Sequence, residues 1–463
     1  MKHFFYKGTE NILENIVIKP NESLIDSIIE KTKKEISKII ETRNLSFLIG
    51  SGCSIGEFGI PTMQHLADLF FEPTEKRLEK CSDKLKKLLL KKVHLTILEK
   101  YKIDYTKEPF RNNLEVFLGT LFSAKFYYEQ INDNDSVEDI NKVISQTKKY
   151  ILYQCLNEDN QGKDENIFEN YKNFYRKLSL RDSNLPKPNV FTTNYDLYSE
   201  KSMDDLGITY ANGFSGFIER YFNPAIFNYA LAEQMDISSF KWNVIDNFIY
   251  LFKIHGSINW VEVEETNKLF RVRELQNVNY RTLRKEKNLM IYPSPIKQNA
   301  SLGSPYSDLF RELQKRITRN QSVLVTMGYS FADEHINNII YQALTIPTFR
   351  LVIFSDVNQY FNKEEIADGK DEQEIKLIQV KETIRKNIEK LRKLNDPRIW
   401  IIGSDEEFED KKTWKIINED KGIHFFSTIT NEFLPDWTEN KVEVQNEKIL
   451  KLFDKAIEDS SKE

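Results

Sequence analysis

Six short apolar segments, each followed at once by small or polar residues, constrain the fold of this chain most. They are rich in β-branched side chains, and helix-like stretches separate them along the chain. Short, wholly apolar strands in this alternation are typical of a parallel sheet that helices cover on both faces. The segments are residues 47–49, 189–191, 249–254, 322–327, 351–354 and 399–402. The pattern therefore predicts an α/β fold.

The residues directly after these segments indicate where a ligand would bind. In open α/β sheets, ligands lie at the carboxyl ends of the strands. The ends in question are Gly50 to Ser54, Thr192 to Asp196, His255 to Ser257, Gly328 to Ser330, Ser355 with Asp356, and Gly403 with Ser404. Six such ends in one chain favour a ligand site along one edge of the sheet.

The first strand end, Gly50 to Ser54, is the candidate phosphate loop. Glycines directly after a strand let the backbone turn sharply and approach a ligand closely, because they have no Cβ. Backbone N–H groups in such a loop can bind a phosphate. Ile55 stands where a dinucleotide-binding loop would have its third glycine. An ordinary strand-to-helix turn is therefore the alternative.

Two further strand ends carry candidates for chemistry. His255 is able to accept or donate a proton near neutral pH, and the alternative is a core histidine bonded to backbone. Asn194 is suited to hold a ribose hydroxyl or a water molecule, and Asp196 a carboxamide or a developing positive charge. The alternative for these two residues is an Asx-turn that closes the strand.

Three later residues complete the set of candidates. We expect Ser330 to contact the ligand and Asp333 to cap the helix that begins at Glu334. An acidic residue at a strand end can bind the ribose hydroxyls of adenosine. Asp356 is in such a position, and the alternative is that it only starts a turn.

We expect one domain over residues 1–463 with additions around the sheet. These additions are an N-terminal helix over 20–42, a helical insertion over about 65–185 and a C-terminal extension over about 406–463. The most basic runs are Lys84 to Lys92 and Arg281 to Lys287. We interpret them as a solvated helix face and a loop, with a nucleic-acid patch as the alternative.

Composition argues against several classes of protein. The formal net charge is −5, whereas a dedicated nucleic-acid binder usually has a strong basic excess. The three cysteines form no CxxC pair and no His/Cys cluster, so we expect neither a metal site nor a disulfide framework. Residues 1–10 lack the apolar core of a signal peptide, and no apolar run reaches the length of a membrane span. The expected compartment is the cytoplasm.

Taken together, four motifs resemble the sirtuin-like (silent information regulator-like) family. The resemblance covers roughly residues 40 to 405 and extends to motif order, strand context and residue type. The motifs are Gly50-Ser51-Gly52-Cys53-Ser54 with Gly59-Ile60-Pro61-Thr62, Thr193-Asn194-Tyr195-Asp196, His255-Gly256 and Gly328-Tyr329-Ser330. The resemblance implies that the α/β fold is a Rossmann-like parallel sheet.

The chain departs from the protein deacylases of this family at three points. Deacylases usually have Ala at the position of Ser51, and Asp-Phe where Thr62-Met63 stand here. They also carry four zinc-binding cysteines after the catalytic His-Gly, whereas no cysteine follows Cys155 in this chain. We therefore expect neither a zinc module nor zinc. The run from Gly328 to Asn337 is more similar to the prokaryotic branch that degrades NAD during phage infection.

The resemblance implies an NAD⁺ glycohydrolase that releases nicotinamide and ADP-ribose and depletes NAD⁺ in antiphage defence (abortive infection). It implies that Asn194 positions water or a ribose hydroxyl, that His255 is a general base, and that Asp196 holds the carboxamide. The implied NAD⁺-binding residues are Gly50, Ser51, Gly52, Cys53, Ser54, Pro61, Thr62, Thr193, Gly328, Ser330 and Asp356.

Unregulated hydrolysis of NAD⁺ would kill the host cell, so we expect assembly or a partner to gate the activity. By resemblance, the chain forms a homo-oligomer, and its activating partner is of the kind of a HerA-type ATPase or a short Argonaute. The helical insertion and the C-terminal segment are the expected contact surfaces. The alternative functions are an NAD-dependent protein deacylase, a non-catalytic nucleotide sensor, and a DNA-associated nuclease subunit of an ATPase complex.

Overall fold

All six predicted strands lie in one nine-stranded sheet of the computed structural model, so the α/β prediction is confirmed. The structure describes residues 3–14, 16, 23–73, 75–107, 110–182, 184–236, 241–263, 271–286, 304–355, 387–404, 409–410, 415–416 and 422–435. The strands are β1 (His3–Lys7), β2 (Glu10–Asn11), β3 (Asn44–Ile49), β4 (Asn189–Thr192), β5 (Thr209–Ala211), β6 (Phe214–Ser215), β7 (Arg220–Phe222), β8 (Ala232–Asp236), β9 (Lys241–Val244), β10 (Phe248–Lys253), β11 (Trp260–Glu262), β12 (Val272–Glu274), β13 (Ser322–Met327), β14 (Arg350–Phe354), β15 (Ile399–Ser404), β16 (Glu409–Asp410) and β17 (Lys415–Ile416).

The order of the strands in the central sheet is β2-β1-β15-β14-β13-β3-β4-β10-β5. Every neighbouring pair from β15 to β5 is parallel, whereas β1 runs antiparallel to β15 and β2 antiparallel to β1. From β3 the chain adds β4, β5 and β10 on one side and then returns to form β13, β14 and β15 on the other. The reversal between β3 and β13 is a topological switch point, where α/β sheets bind ligands.

Helices pack against both faces of this sheet. The helices of the sheet and of the helical insertion are α1 (Leu24–Ile40), α2 (Met63–Phe71), α3 (Glu75–Lys80), α4 (Asp83–Lys86), α5 (Lys92–Lys100), α6 (Leu114–Gln130), α7 (Asn134–Leu156), α8 (Glu165–Ser179), α9 (Tyr198–Asp205), α10 (Tyr280–Leu283), α11 (Tyr306–Ile317) and α12 (Glu334–Leu344). Helices α1, α8 and α9 bury apolar side chains against one face, and α11 and α12 against the other. The Rossmann-like arrangement expected from the sequence is therefore present.

The helix predicted over 20–42 is α1, which begins at Leu24 and ends at Ile40. Ser23 caps it: the Ser23 hydroxyl accepts the Asp26 N–H (3.2 Å), and the Asp26 carboxylate accepts the Ser23 N–H (3.1 Å). This reciprocal pair satisfies N–H groups that the first turn leaves without helical partners. The buried isoleucines of α1 recur at helical spacing, as the sequence predicted.

The helical insertion has a hydrophobic core of its own. Helices α2, α4, α5, α6 and α7 bury a cluster that includes Phe70, Phe117 and Tyr150, and α10 adds Leu283 to it. Helix α8 falls within the predicted range of 65–185 but packs on the sheet, because its Tyr171 and Phe174 join the sheet's own cluster. The separate core is thus built from α2 to α7.

A four-stranded antiparallel sheet, β11-β12-β7-β6, lies beside the central sheet. A buried polar group fixes it, since Glu274 Oε2 lies 2.5 Å from Arg220 Nη1 and Glu274 Oε1 accepts a hydrogen bond from Asn212 (2.7 Å). Of the predicted C-terminal extension, residues 422–435 pack on the core, and most of the rest lies outside the described residues. Among the helices described, none has both the length and the apolar character needed to cross a membrane.

Candidate functional site

A cavity of about 250 Å³ lies where β3, β4, β10 and β13 end, next to the switch point of the sheet. The predicted site residues that line it are Gly50, Ser51, Ser54, Pro61, Thr193, Asn194, Asp196, His255, Gly328 and Ser330. Of the other predicted residues, Cys53 is buried, Thr62 caps α2 by accepting the His65 N–H (3.5 Å), and Gly52 contacts Gly328. Asp356 lies outside the described residues.

The glycines of the first loop allow it to touch the loop after β13. The Gly50 N–H donates to the carbonyl oxygen of Met327 (2.9 Å), and the Gly52 N–H to that of Gly328 (3.0 Å). A Cβ on Gly50 would lie 2.3 Å from the Gly328 oxygen, and Gly328 itself has a left-handed φ of +59°. Only residues without a Cβ fit this approach of two backbones.

These contacts change how a phosphate would be held at the loop. In addition to the two glycine N–H groups, the Cys53 N–H donates to Gly50 (3.1 Å) and the Ser54 N–H to Ser51 (3.0 Å). Four of the five loop N–H groups therefore already have protein acceptors. The Ser51 N–H has none among the described residues. A phosphate here would rely on Ser51 and on side chains, such as that of Ser330, on the cavity wall.

Asn194, which follows β4, has one side-chain atom without a partner. Its Nδ2 donates to the Gly50 carbonyl oxygen (3.1 Å) and to Ser54 Oγ (3.0 Å). Because a carbonyl oxygen can only accept, this contact fixes which way the amide points. The Oδ1 atom is buried and has no hydrogen-bond partner within the described part of the chain. An unpaired acceptor on a cavity-lining residue is a place for a ligand hydroxyl or a water molecule.

Hydrogen bonds hold both carboxylate oxygens of Asp196. Ser54 Oγ donates to Oδ2 (2.9 Å), and the Tyr198 N–H donates to Oδ1 (3.1 Å). Tyr171 Oη lies 2.8 Å from Ser54 Oγ and donates to it, since Ser54 gives its own proton to Asp196. Burial raises the pKa of Asp196 above its ordinary value. The chain of bonds from Tyr171 through Ser54 to Asp196 also fixes Asn194.

His255 is paired with Asp333, which the sequence analysis assigned only to helix capping. His255 Nε2 lies 2.8 Å from Asp333 Oδ2. The other oxygen of Asp333 accepts the Ile336 N–H (3.0 Å) at the start of α12, so the predicted cap is confirmed. Burial alone would lower the pKa of His255, but the hydrogen bond to Asp333 and the charges of Glu115 and Asp333 outweigh it and raise the pKa.

The helical insertion supplies a carboxylate to the same cavity. The Asn113 side chain caps α6 by accepting the Glu115 N–H (2.8 Å) and the Val116 N–H (3.3 Å). Tyr195, between Asn194 and Asp196 in sequence, donates from its hydroxyl to Glu115 Oε1 (2.5 Å). Glu115 and Tyr195 line the cavity together with His255. The first turn of α6 therefore forms one wall of the site.

A buried ion pair between Lys253 and Glu200 stabilises the turn after β4. Lys253 is the last residue of β10 and is 1% exposed. Its Nζ lies 3.0 Å from Glu200 Oε1 and donates to the backbone carbonyl oxygens of Tyr195 and Asp196. This cation joins β10 to the turn that carries the catalytic candidates.

The comparison with protein families covers the part of the chain that carries most of these residues. Residues 188–355 match the model of the SIR2-like domain. The matched range is a little more than a third of the chain. The match runs from just before β4 to just after β14, and it includes Asn194, His255 and Asp333. A comparison with curated proteins found none that matches.

The SIR2-like domain implies the use of NAD⁺, and it confirms the resemblance to the sirtuin-like family. Two parts of the site lie outside the matched range, namely the loop from Gly50 to Ser54 and the wall that carries Glu115. No group of His, Cys, Asp and Glu side chains arranged to hold a metal ion occurs among the residues described.

Sequence reasoning missed three contributors to the site. Asp333 was recognised as a cap but not as the partner of His255, although it follows Ser330 at a fixed spacing in a motif already noted. Glu115 and Tyr171 lie on helices far from the motifs in sequence. No local pattern distinguishes them from other helical residues, so only the packing of α6 and α8 reveals them.

Proposed function

We propose that this chain is an NAD⁺ glycohydrolase that releases nicotinamide and ADP-ribose. The observation that carries the proposal is the unpaired, buried Oδ1 of Asn194 in a cavity that His255 also lines. Both residues belong to the SIR2-like domain. A ligand hydroxyl or water at Oδ1 would then have an acceptor and a base in one enclosed site.

The reaction breaks the bond between ribose C1′ and the nicotinamide nitrogen. Nicotinamide leaves with the bonding electron pair as a neutral molecule, so its departure needs no acid. The sugar develops the charge of an oxocarbenium ion, and water adds to C1′ and loses a proton. The products from NAD⁺ and water are nicotinamide, ADP-ribose and one proton. The protein has to stabilise positive charge and accept that proton.

The described side chains fit these two tasks. His255 accepts the proton of the water or of a ribose hydroxyl, and Asp333 orients the ring and stabilises its protonated form. Asn194 Oδ1 accepts a hydrogen bond from the same water or hydroxyl. The carboxylate of Glu115 adds negative charge to the wall, which favours the cationic transition state. The contact between Asp196 and the carboxamide stays a prediction. Both carboxylate oxygens of Asp196 already accept hydrogen bonds within the protein, so the carboxamide would have to share one of them.

Chromatography of NAD⁺ incubated with purified protein tests the proposal. Asn194→Ala and His255→Ala should each lower nicotinamide release by about a hundredfold or more, the typical worth of a positioned acid–base group. Asn338→Ala, on the exposed surface of α12, is the matched control and should keep full activity. Circular dichroism should show all three variants folded. Undiminished nicotinamide release from both site variants would overturn the proposal, and NAD⁺-dependent deacetylation of an acetyl-lysine peptide would favour a deacylase instead.

We place this activity in antiphage defence, because loss of cellular NAD⁺ stops the metabolism on which a phage depends. The expected setting is the cytoplasm, where NAD⁺ is available. Infected cells that carry the chain should lose NAD⁺ and release fewer phage, whereas cells that carry Asn194→Ala should not. Equal protection by this variant would separate defence from NAD⁺ hydrolysis.

The proposal includes a homo-oligomer and an activating partner of the kind of a HerA-type ATPase or a short Argonaute. Phe217 and Ile218, at the tip of the hairpin between β6 and β7, are 101% and 94% exposed. Neighbouring apolar side chains exposed to this degree are typical of protein interfaces. Light scattering should show assembly that Phe217→Ser with Ile218→Ser weakens. A fully active monomer at micromolar concentration would contradict this part of the proposal.

A further inference from the structure

A basic groove lies in the helical insertion, apart from the catalytic cavity. It has a volume of about 400 Å³ and lies between α6, α7 and the residues that follow α10. Its charged lining residues are Lys125, Lys148, Lys149, Arg284, Lys285 and Glu286. Five cations thus face one carboxylate in a chain whose formal net charge is −5.

The positive charge of the basic groove is largely available to a ligand. Lys149, Arg284 and Lys285 form no ion pair with a carboxylate of the described residues. Lys125 Nζ lies 3.6 Å from Glu129 Oε1, and the Glu129 side chain is exposed whereas that of Lys125 is half-buried. Surface ion pairs contribute little to stability, so Lys125 exchanges Glu129 readily for another partner.

Aromatic rings lie beside these cations. Phe122 lines the basic groove, and Lys148 Nζ lies 5.2 Å from the centre of its ring. Phe126, one helical turn further along the same face of α6, is 45% exposed. Cations that contact phosphates, together with rings on which bases stack, are the features of proteins that bind single-stranded nucleic acid.

The helices that form the basic groove also form the catalytic cavity. Helix α6 places Glu115 in the cavity and Lys125 in the groove, about 15 Å further along the helix at 1.5 Å per residue. Helix α7 places Leu152 in the groove and Cys155, less than one turn away, in the cavity. A ligand that shifts either helix therefore also moves a wall of the cavity.

We propose that the basic groove binds single-stranded nucleic acid and that the bound strand changes the catalytic rate through α6 and α7. A single-stranded nucleic acid fits better than a duplex, because the cations line the basic groove between helices. They do not form a projecting element that could enter the major or minor groove of a duplex. Arg284 and Lys285, which belong to a basic run that the sequence analysis interpreted as a loop, are part of this surface.

Fluorescence anisotropy with a labelled oligothymidine at low salt tests the binding step. Lys149→Glu with Arg284→Glu reverses two charges of the basic groove and should weaken binding by about tenfold or more. It should also lower the slope of log affinity against log salt by about 1.4, at about 0.7 per lost phosphate contact. The matched control is Lys33→Glu with Lys34→Glu, which reverses two exposed charges on α1 and should leave binding unchanged.

Three results would overturn the binding step. They are no binding of the oligonucleotide, equal loss in both double variants, or tighter binding of a duplex or of anionic lipid vesicles. Asn194→Ala should bind the oligonucleotide like the wild type, so the binding result does not depend on the proposed NAD⁺ hydrolysis.

The effect on rate rests on the proposed function and is measured separately. Saturating oligothymidine should change nicotinamide release by the wild-type chain and leave the release by Lys149→Glu with Arg284→Glu unchanged. Binding in the basic groove with no change in the wild-type rate would refute the coupling. An equal change in the groove variant would refute it as well.

Discussion

Replacing Gly328 with alanine tests whether the cavity depends on the close approach of two loops. The left-handed φ of +59° disfavours any residue with a Cβ. The added Cβ would lie 2.5 Å from the Cys53 nitrogen and 2.7 Å from the Gly52 carbonyl carbon. Both are backbone atoms in a loop that hydrogen bonds fix to β13, so neither can rotate away as a flexible side chain would.

The expected loss of stability follows from these two effects. A left-handed backbone costs a non-glycine residue about 1–2 kcal/mol. Overfilling a packed site costs about 1–3 kcal/mol more. We therefore expect Gly328→Ala to lower the free energy of unfolding by about 2–5 kcal/mol, a large part of the roughly 5–15 kcal/mol of a typical domain.

Gly207 provides a control that separates backbone strain from collision. Its φ is +64°, close to that of Gly328, but no atom lies within 4 Å of the position of its Cβ. Gly207→Ala should therefore lower the free energy of unfolding only by the cost of a left-handed backbone, about 1–2 kcal/mol. The difference between the two variants measures the collision between the loops.

Urea unfolding followed by tryptophan fluorescence gives the free energies, and titration calorimetry gives NAD⁺ binding. We expect Gly328→Ala to lose more stability than Gly207→Ala and also to lose NAD⁺ binding, because its loops must separate at the cavity. If both variants lose the same stability and both still bind NAD⁺, the assigned role of the glycines is wrong.

Two further predictions concern the catalytic pair and its support. Asp333→Asn keeps the helix cap but removes the carboxylate that raises the pKa of His255. A base is active only when neutral, so the acid limb of the pH–rate profile should move to lower pH; Glu115→Gln should move it in the same direction. Nicotinamide release measured across pH checks both, and unchanged limbs would contradict the assignment of His255 as the base. Lys253→Met leaves the buried Glu200 carboxylate without its cation and should lower the free energy of unfolding by about 3–5 kcal/mol. Adding Glu200→Leu should restore most of this loss in urea unfolding, and a double variant as unstable as the single would refute the importance of the pair.

The strands and their order of appearance were predictable because their signals are local. Each of the six strands is a short apolar run ended by small or polar residues, and such a run needs a sheet that is covered on both faces. Asn194 and His255 were found in the same way, since each lies two residues after the last residue of a strand. The cap at Asp333 was predictable from its position directly before the helix that begins at Glu334.

The insertion was harder to delimit from the sequence. Helical spacing predicts that α2 to α8 are helices, but it does not say which surface each helix buries. In the structure α8 packs on the sheet and α2 to α7 pack on one another. Glu115 reaches the cavity because of that second packing, which no pattern within α6 reveals.

The sequence alone determined that this chain forms a parallel sheet with a polar, glycine-containing edge, because each apolar run and its end are recognisable from a few consecutive residues. Tertiary structure decided what the parts of that edge do. The strand order puts β13 beside β3, so Gly328 contacts Gly50 and Gly52. The N–H groups of Gly50 and Gly52 therefore donate to backbone carbonyl oxygens of Met327 and Gly328 and are not available to a ligand. The packing of α12 against the end of β10 pairs Asp333 with His255. Such contacts depend on which strands are neighbours in the sheet. The strand order in turn depends on how all the apolar side chains of the core are buried together.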